Sequence, residues 1–368
     1  MERYDDIHRI VSAAYANVDA YVDNFAKTRH IASDLLLGTP PVEKPFLSVL
    51  IPTYRRTELL RQAVESVLAQ RDVPFAWEIL VVDNTPPDTA GVPPALTVLQ
   101  DLSVPNLRYY HNWENLGSGY NWNRAVELAQ GKWVCFLHDD DLMFPDALQN
   151  LARILHQADG GKKPLGYVQA RRIEFTSSTV PTQPKKLLYL LPLTRRGALL
   201  TGYTGTENPS CGTTILRKAY LRTGGINYDF GPSADAVLGY QIMKDYRVLC
   251  SDAYLGAYRW QENESLRADT AQRLIEADAL FAQYRYRQSK GATLWGKLFG
   301  DVQKEKNIRL KIRIADRGAN LLTRAQLSAS ASPPPTWKII LYTVLVYAYQ
   351  AARRLGVMVL ARFVVNKK

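Results

Sequence analysis

At 368 residues with 46% apolar side chains, including 7 Trp, 21 Tyr and 10 Phe, the chain can bury a substantial core. That composition excludes overall disorder. The net charge of +11 is unevenly placed, because residues 285–368 hold 17 Lys and Arg against 3 Asp and Glu. The remainder is slightly acidic, so the basic block reads as an arm for anionic partners, membrane lipid or nucleic acid.

The cysteines (Cys135, Cys211, Cys250) are far apart, which argues against a disulfide framework and a structural zinc. No basic segment leading into an apolar stretch is visible in MERYDDIHRI. A reducing cytoplasmic setting is therefore expected.

Residues 1–44 read as a helical extension, with Ile7, Ile10, Val11, Ala14, Tyr15 and Val18 at helical spacing up to Gly38-Thr39-Pro40-Pro41. From Phe46 the pattern changes to short apolar runs ending in polar residues. Phe46–Ile51, Glu78–Val82, Leu107–Tyr110 and Trp133–Leu137 read as buried parallel strands. Helical stretches intervene: Thr57 can cap one that carries Leu60, Ala63, Val64, Val67 and Leu68 on one face, and Ala125–Ala129 belongs to another. This alternation predicts βαβ units, an α/β fold with a mostly parallel central sheet flanked by helices.

Ligands of such sheets bind beyond the carboxyl ends of the strands. Thr53-Tyr54, Asp83 and the cluster Asp139-Asp140-Asp141 all fall on that edge. Three consecutive carboxylates after a buried strand either raise one another's pKa or hold a cation. Hard divalent ions suit such oxygen ligands together with substrate phosphates, although a solvated acidic turn is the competing reading. A carboxylate at Asp83 can accept from a nucleotide base or ribose, or cap the next turn. Asn115-Leu-Gly117-Ser-Gly119 is a glycine turn opening a helix whose N–H groups can face phosphate.

Further on, Gly166–Phe175, Thr213–Leu216 and Tyr254–Trp260 read as strands, with a long loop at about 176–210 suited to covering a second substrate. A helix is expected near Ala234–Asp245. After Glu264 the chain turns helical and basic. Pro333-Pro334-Pro335 is a stiff spacer, and the 14-residue run Ile339–Ala352 is too short to span a bilayer. Lys338, Tyr342, Tyr349 and Arg353 share one helical face, with Trp337, Leu341, Val344, Ala348 and Leu355 on the other. An amphipathic helix in a membrane interface fits this, as does a helix docked on the protein itself.

Four segments, SVLIPTYRR (48–56), EILVVDN (78–84), NLGSGYNWNRAVELAQGKWVCFLHDDD (115–141) and GGINYDFGPSADAVLGYQI (224–242), together resemble the family 2 glycosyltransferases of GT-A, Rossmann-like fold. The resemblance covers about 48–260. It implies an inverting enzyme that uses nucleotide-diphospho sugars in bacterial capsule, O-antigen or other surface-glycan synthesis. Under it, Pro52, Thr53 and Tyr54 would line the nucleotide pocket and Asp83 would meet the base, uracil. Asn115, Gly117 and Asn123 would lie beside the donor.

Asp140 matches the metal-binding acid of the family's DxD motif, with Asp139 as its helper and Mn2+ or Mg2+ as the cofactor. His138 stands where the motif's first acid is usual. Asp235 matches the catalytic base, although Ala234 replaces the family's preceding Glu and Asp229 is a rival. Arg259 would face diphosphate or pair with an acid.

The implied organisation is a helical extension (1–44), the transferase domain (45–262), a basic helical region (263–332) and an amphipathic membrane-associating helix (333–368). The partners that follow are a nucleotide-sugar donor, a polyprenyl-diphosphate-linked saccharide acceptor and the anionic inner face of the cell membrane. Both terminal helical regions are available for homo-oligomer contacts, and no nucleic acid is expected. Two other classes stay open. One is a sugar nucleotidyltransferase, which would place a Gly-rich basic loop where Ile51–Arg56 stands; the other is a basic nucleic-acid binder suggested by the interleaved Tyr and Arg at 284–287.

Overall fold

The computed structural model describes residues 2–102, 104–176, 181–184, 190–201, 211–260, 268–317 and 332–365. Its centre is four parallel strands in the spatial order β4-β3-β2-β5: β2 (Leu47–Thr53), β3 (Trp77–Asp83), β4 (Leu107–Asn112) and β5 (Trp133–Phe136). These are the apolar runs expected from the sequence. Their continuity follows from burial on both faces. Leu50, Leu80, Val82, Val134 and Phe136 point into one core and Val49, Ile51, Ile79, Val81 and Cys135 into the other.

The second core is closed by α2 (Thr57–Leu68), α3 (Pro94–Gln100) and α5 (Ala147–Gln157). The first is closed by α4 (Ser118–Leu128), α7 (Arg217–Thr223) and α8 (Ala234–Ile242). Thr57 is the first helical residue of α2 and not its cap; Arg56 holds the cap position and makes no side-chain cap bond.

Antiparallel pairs and one further parallel pair extend the sheet on both sides. Beyond β5 come β9 (Thr213–Leu216), β7 (Leu165–Phe175), β10 (Arg247–Arg259) and the two-residue β6 (Leu142–Met143). Strand β10 starts seven residues before the expected Tyr254, because its first half pairs with β7 and with β8 (Leu190–Leu193). The expected loop at 176–210 thus contains a strand and the short helix α6 (Arg195–Thr201); residues 177–180, 185–189 and 202–210 lie outside the described residues.

The N-terminal extension is helical only in α1 (Glu2–Ala16). Ser33–Leu37 forms β1, an edge strand antiparallel to β4. Arg124 fixes the intervening turn by donating to the carbonyls of Ile31 at 2.9 Å and Thr28 at 2.7 Å. Asp19 accepts both arms of Arg195 at 2.8 and 2.6 Å and the Tyr284 hydroxyl at 2.8 Å. The extension is therefore stitched into the sheet domain at several points and is part of its body.

Below the parallel strands sits a buried ion pair between Glu78 of β3 and Arg108 of β4. Glu78 also accepts from the Ser48 hydroxyl and, at 3.0 Å, from the Gln130 N–H. Removing one partner strands the other charge in the core. Arg108→Met is expected to cost about 3–5 kcal/mol in urea unfolding. The double variant E78Q/R108M should lose distinctly less, since it leaves no orphaned charge.

After the sheet come α9 (Ala268–Tyr286), α10 (Lys290–Arg317) and α11 (Thr336–Val365), with 261–267 and 318–331 outside the described residues. Among the described residues no helix is long and apolar enough to cross a membrane. Helix α11 carries the two faces read from the sequence. The face that turns inward carries Lys338 and Tyr342 together with apolar Ile339 and Val346: Tyr342 is fully buried, Val346 is buried beside it, and Lys338 pairs with Asp301 at 2.7 Å.

Candidate functional site

The parallel strands β2 and β3 end at Thr53 and Asp83, and the chain leaves β5 through Leu137 into the turn His138–Asp141. The Leu137 N–H donates to the Leu50 carbonyl and the Asp141 N–H to the His138 carbonyl, so the turn folds back over the end of β2. All three aspartates of the turn are buried.

Each carboxylate meets different partners. Asp139 accepts the Thr53 hydroxyl at 2.7 Å and lies 3.4 Å from the Arg56 guanidinium. Arg56 also closes on Asp140. Asp141 accepts the backbone N–H of Arg259 at 2.9 Å through Oδ1, while its Oδ2 is buried, has no hydrogen-bond partner among the described residues and lies 3.5 Å from His138 Nδ1. Burial, and then the neighbouring Asp140 charge, push the Asp139 carboxyl up to about 6 and Asp141 up to about 8.

His138, Asp140 and Asp141 bring one ligand atom each within 4.8 Å of one another. A nitrogen and two carboxylates, one of them with an orphaned buried oxygen, fit a divalent cation. The expected ligand Asp140 belongs to this group. Asp139 lies outside this group and is held by Thr53 and Arg56, while His138 and Asp141 complete it.

Arg259 braces the turn from behind. It is buried, its Nε donates to the Asp140 carbonyl at 2.8 Å, and its NH2 reaches Gln62 at 2.9 Å. Its guanidinium stacks 4.7 Å from the Phe175 ring centroid. Trp122 lies 5.5 Å from the His138 ring and Tyr258 6.4 Å from it.

The Pro52–Arg56 segment is shaped by a backbone kink. Arg55 has φ +57, costly for a residue with a Cβ, and is held there by its N–H donating to Thr85 Oγ1 at 2.7 Å. The kink turns Arg56 back onto the acidic turn and leaves Tyr54 exposed, with Arg55 packed over its ring at 5.0 Å. Pro52 is half-buried beside them.

Asp83 is fully buried, and both its oxygens are engaged, one by the Thr85 N–H at 2.7 Å and the other by the Tyr109 hydroxyl at 2.8 Å. Its turn-capping role is thus realised. Burial raises its pKa despite these donors. An asparagine network the sequence did not signal as a unit ties its neighbours together. Asn112 donates to Asn84 at 2.8 Å and Asn121 at 2.9 Å, and Asn84 donates to the Gly117 carbonyl at 3.3 Å. This network sets the Asn115–Gly119 turn beside the ends of β3 and β4.

Within that turn Asn115 accepts the Gly117 N–H at 2.8 Å, and Gly117 adopts φ +76 in the cap position of α4. Asn123 does not face an open site. It is fully buried, donating to the Ile226 carbonyl at 2.9 Å and accepting from the Ile226 N–H at 2.8 Å and the Tyr220 hydroxyl at 2.7 Å. It locks α4 to the Gly224-Gly225-Ile226 turn, where Gly225 has φ +84.

Asp235 lies in the first turn of α8, half-buried, with its Oδ1 2.7 Å from the Ala236 N–H. Its negative charge acts on the hydroxyls of Tyr15 and Tyr228. Tyr228 packs against Gly119 and lies 5.5 Å from Tyr120, so it links the start of α8 to the start of α4. The rival Asp229 pairs with Lys27 of the extension at 3.2 Å, on the surface.

The raised carboxyls give the cation-free protein a defined pH response. Asp139 and Asp141 bind protons in the folded state up to about pH 6 and 8, well above the unfolded value of 3.8. Between these limits the folded state holds more protons than the unfolded one, so stability falls as pH rises and levels off above about pH 8. Urea unfolding in chelator is expected to show roughly 2 kcal/mol or more lost from pH 5 to pH 8. Asp141→Asn should remove most of that slope.

Comparison with known proteins places this architecture. The profile of Glycosyl transferase family 2 matches residues 48–224. An Escherichia coli protein named for glycosyl transfer in colanic acid biosynthesis is 34% identical over 104 residues, 28% of this chain and 36% of its own. A Rhizobium meliloti succinoglycan biosynthesis protein is 30% identical over 124 residues, 33% of each chain. The matched stretch thus spans about a third of these relatives.

Among solved structures, a Pyrobaculum calidifontis mannosyltransferase in complex with GDP-Man and Mn2+ superimposes with a TM-score of 0.47 at 16% identity, over 93% of this chain and 97% of that one. The chain carries a glycosyl transferase family 2 domain, built on the strands and the acidic turn described above.

Proposed function

We propose that this chain is an inverting glycosyltransferase that moves a sugar from a nucleoside-diphosphate donor, UDP-linked, to a hydroxyl of a saccharide acceptor. The observation that carries this reading is the buried turn His138–Asp141 at the carboxyl edge of the parallel strands, inside a family 2 domain. Surface-glycan synthesis is the setting suggested by the relatives' names. A lipid-linked, polyprenyl-diphosphate acceptor at the inner face of the cell membrane suits the basic C-terminal block.

In this reading Thr53 and Arg56 orient Asp139 and Asp140, and Arg259 holds the turn's backbone against the sheet. Pro52, Tyr54 and the Asn115–Gly117 turn flank the nucleotide, while Asp83 shapes the base end through Thr85 and Tyr109. A divalent cation, Mn2+ or Mg2+, held by Asp140 with His138, Asp141 and Asp139 nearby, would neutralise charge on the departing diphosphate. Asp235 takes the proton of the acceptor hydroxyl, which attacks the sugar carbon opposite the leaving group and inverts its configuration.

The test is a panel of nucleotide sugars with saccharide and polyprenyl-diphosphate acceptors, assayed with divalent cation and with chelator. Release of nucleoside diphosphate supports transfer. Release of pyrophosphate would identify a nucleotidyltransferase instead, and no turnover with any donor would end the proposal.

A further inference from the structure

An ordinary surface helix buries its apolar stripe and shows its polar face to water, whereas helix α11 leaves a second apolar face exposed. The side that packs on the protein mixes apolar and polar side chains, with Ile339 and Val346 joining Tyr342 in a cluster with Phe299 and Val302 of α10. Tyr342 packs against Trp295 and Phe299 of α10 at ring-centroid distances of 6.0 and 5.6 Å, Lys338 pairs with Asp301, and Arg353 donates to the Pro192 carbonyl of β8. The opposite face holds Trp337, Ile340, Leu341, Val344, Leu345 and Leu355, between 40 and 65% exposed. Ala348, Ala351 and Ala352 lie between them, also exposed, so among the side chains described this face carries no charge from Trp337 to Leu355.

The stripe runs for about 27 Å along the helix. On α10 the exposed Leu294 and Leu298 lie beside the exposed Lys290 and Lys297. A contiguous apolar surface of this kind marks an interaction site.

We infer that the outward face of α11 lies in the surface of an anionic lipid bilayer, with exposed lysines of α10 meeting the headgroups. Charge decides the occupant. Residues 285–368 hold 17 basic against 3 acidic residues, so a second copy would bring like charge against like, whereas an anionic leaflet is complementary. The absence of charge along the stripe suits acyl chains, and Trp337 at its start suits the interfacial zone. The inference rests on the membrane setting proposed above and assigns it a surface. Its failure would leave nucleotide-sugar turnover untouched, so the two are separable.

The experiment is co-sedimentation of the full chain with sucrose-loaded vesicles of phosphatidylcholine, with and without phosphatidylglycerol. The wild type is expected to bind the anionic vesicles at least ~10-fold more tightly than the neutral ones. L341E/V344E, or independently I340S/L345S, should weaken that binding by ~10-fold or more. These positions are exposed, and unchanged thermal melts confirm that the variants fold. Undiminished binding by both folded variants would overturn the inference, as would a wild type that stays in the supernatant. A wild-type dimer that the same substitutions dissociate, without vesicle binding, would assign the face to a second copy and overturn it too.

Discussion

Asp140→Asn is expected to abolish divalent-cation binding and lower sugar transfer by about 10³-fold, with a melting temperature within a few degrees of wild type. The loss follows from the cluster's geometry. Asp140 is the expected ligand that falls in the same 4.8 Å group as His138 and Asp141, and under the proposed mechanism a cation held there would supply several kcal/mol of charge stabilisation. The fold should tolerate the change because the Arg56 left without this partner still has Asp139 and is partly exposed.

Mn2+ titration by calorimetry reads the first effect and nucleoside diphosphate release the second. Wild-type Mn2+ affinity in the variant would show that another set of ligands holds the ion. Arg56→Ala sharpens the test. The guanidinium sits on two of the carboxylates, so its removal should tighten Mn2+ binding if it competes with the cation.

Asp235→Asn is expected to lower kcat by about 10²–10⁴-fold while UDP affinity stays within two-fold of wild type. Loss of a general base acts on the acceptor hydroxyl's proton and not on donor binding. The placement supports this separation: Asp235 opens α8 and acts on Tyr228 and Tyr15, while the acidic turn is engaged by Thr53, Arg56 and Arg259. Asp229→Asn is the control. Its partner is Lys27 at the surface, so it should keep near-wild-type turnover. An active Asp235→Asn enzyme, or one that no longer binds UDP, would remove Asp235 as the base.

The central sheet was legible because β2, β3, β4 and β5 are buried on both faces, so each carries an apolar run, broken where buried polar groups such as Glu78 and Arg108 meet one another. Edge elements were not. Ser33–Leu37 mixes polar and apolar residues and becomes a strand only because β4 offers a free edge. The first half of β10 owes its conformation to β7 and β8 on either side. The positions of Asp83, Asp139–Asp141 and Asp235 near strand ends and a helix start could be read from order and spacing, since chain direction in a parallel sheet sets which ends converge.

What the residues touch could not be read that way. Asp83 is saturated by Tyr109 and Thr85, and Asn123 is consumed by Ile226 and Tyr220. Arg56 and His138 join the acidic turn through a backbone kink and a tight turn that no local propensity predicts. The same holds for α11, whose two faces were plain in the sequence although the face that packs inward was not. By itself the sequence determined an α/β frame, a concentration of carboxylates at its ligand edge and a basic C-terminal block. Only the tertiary structure decided which carboxylates are engaged by arginine, which oxygen is left orphaned and which helix face is left to the surroundings. Burial and partnership are set by elements distant in sequence that converge only in the folded chain.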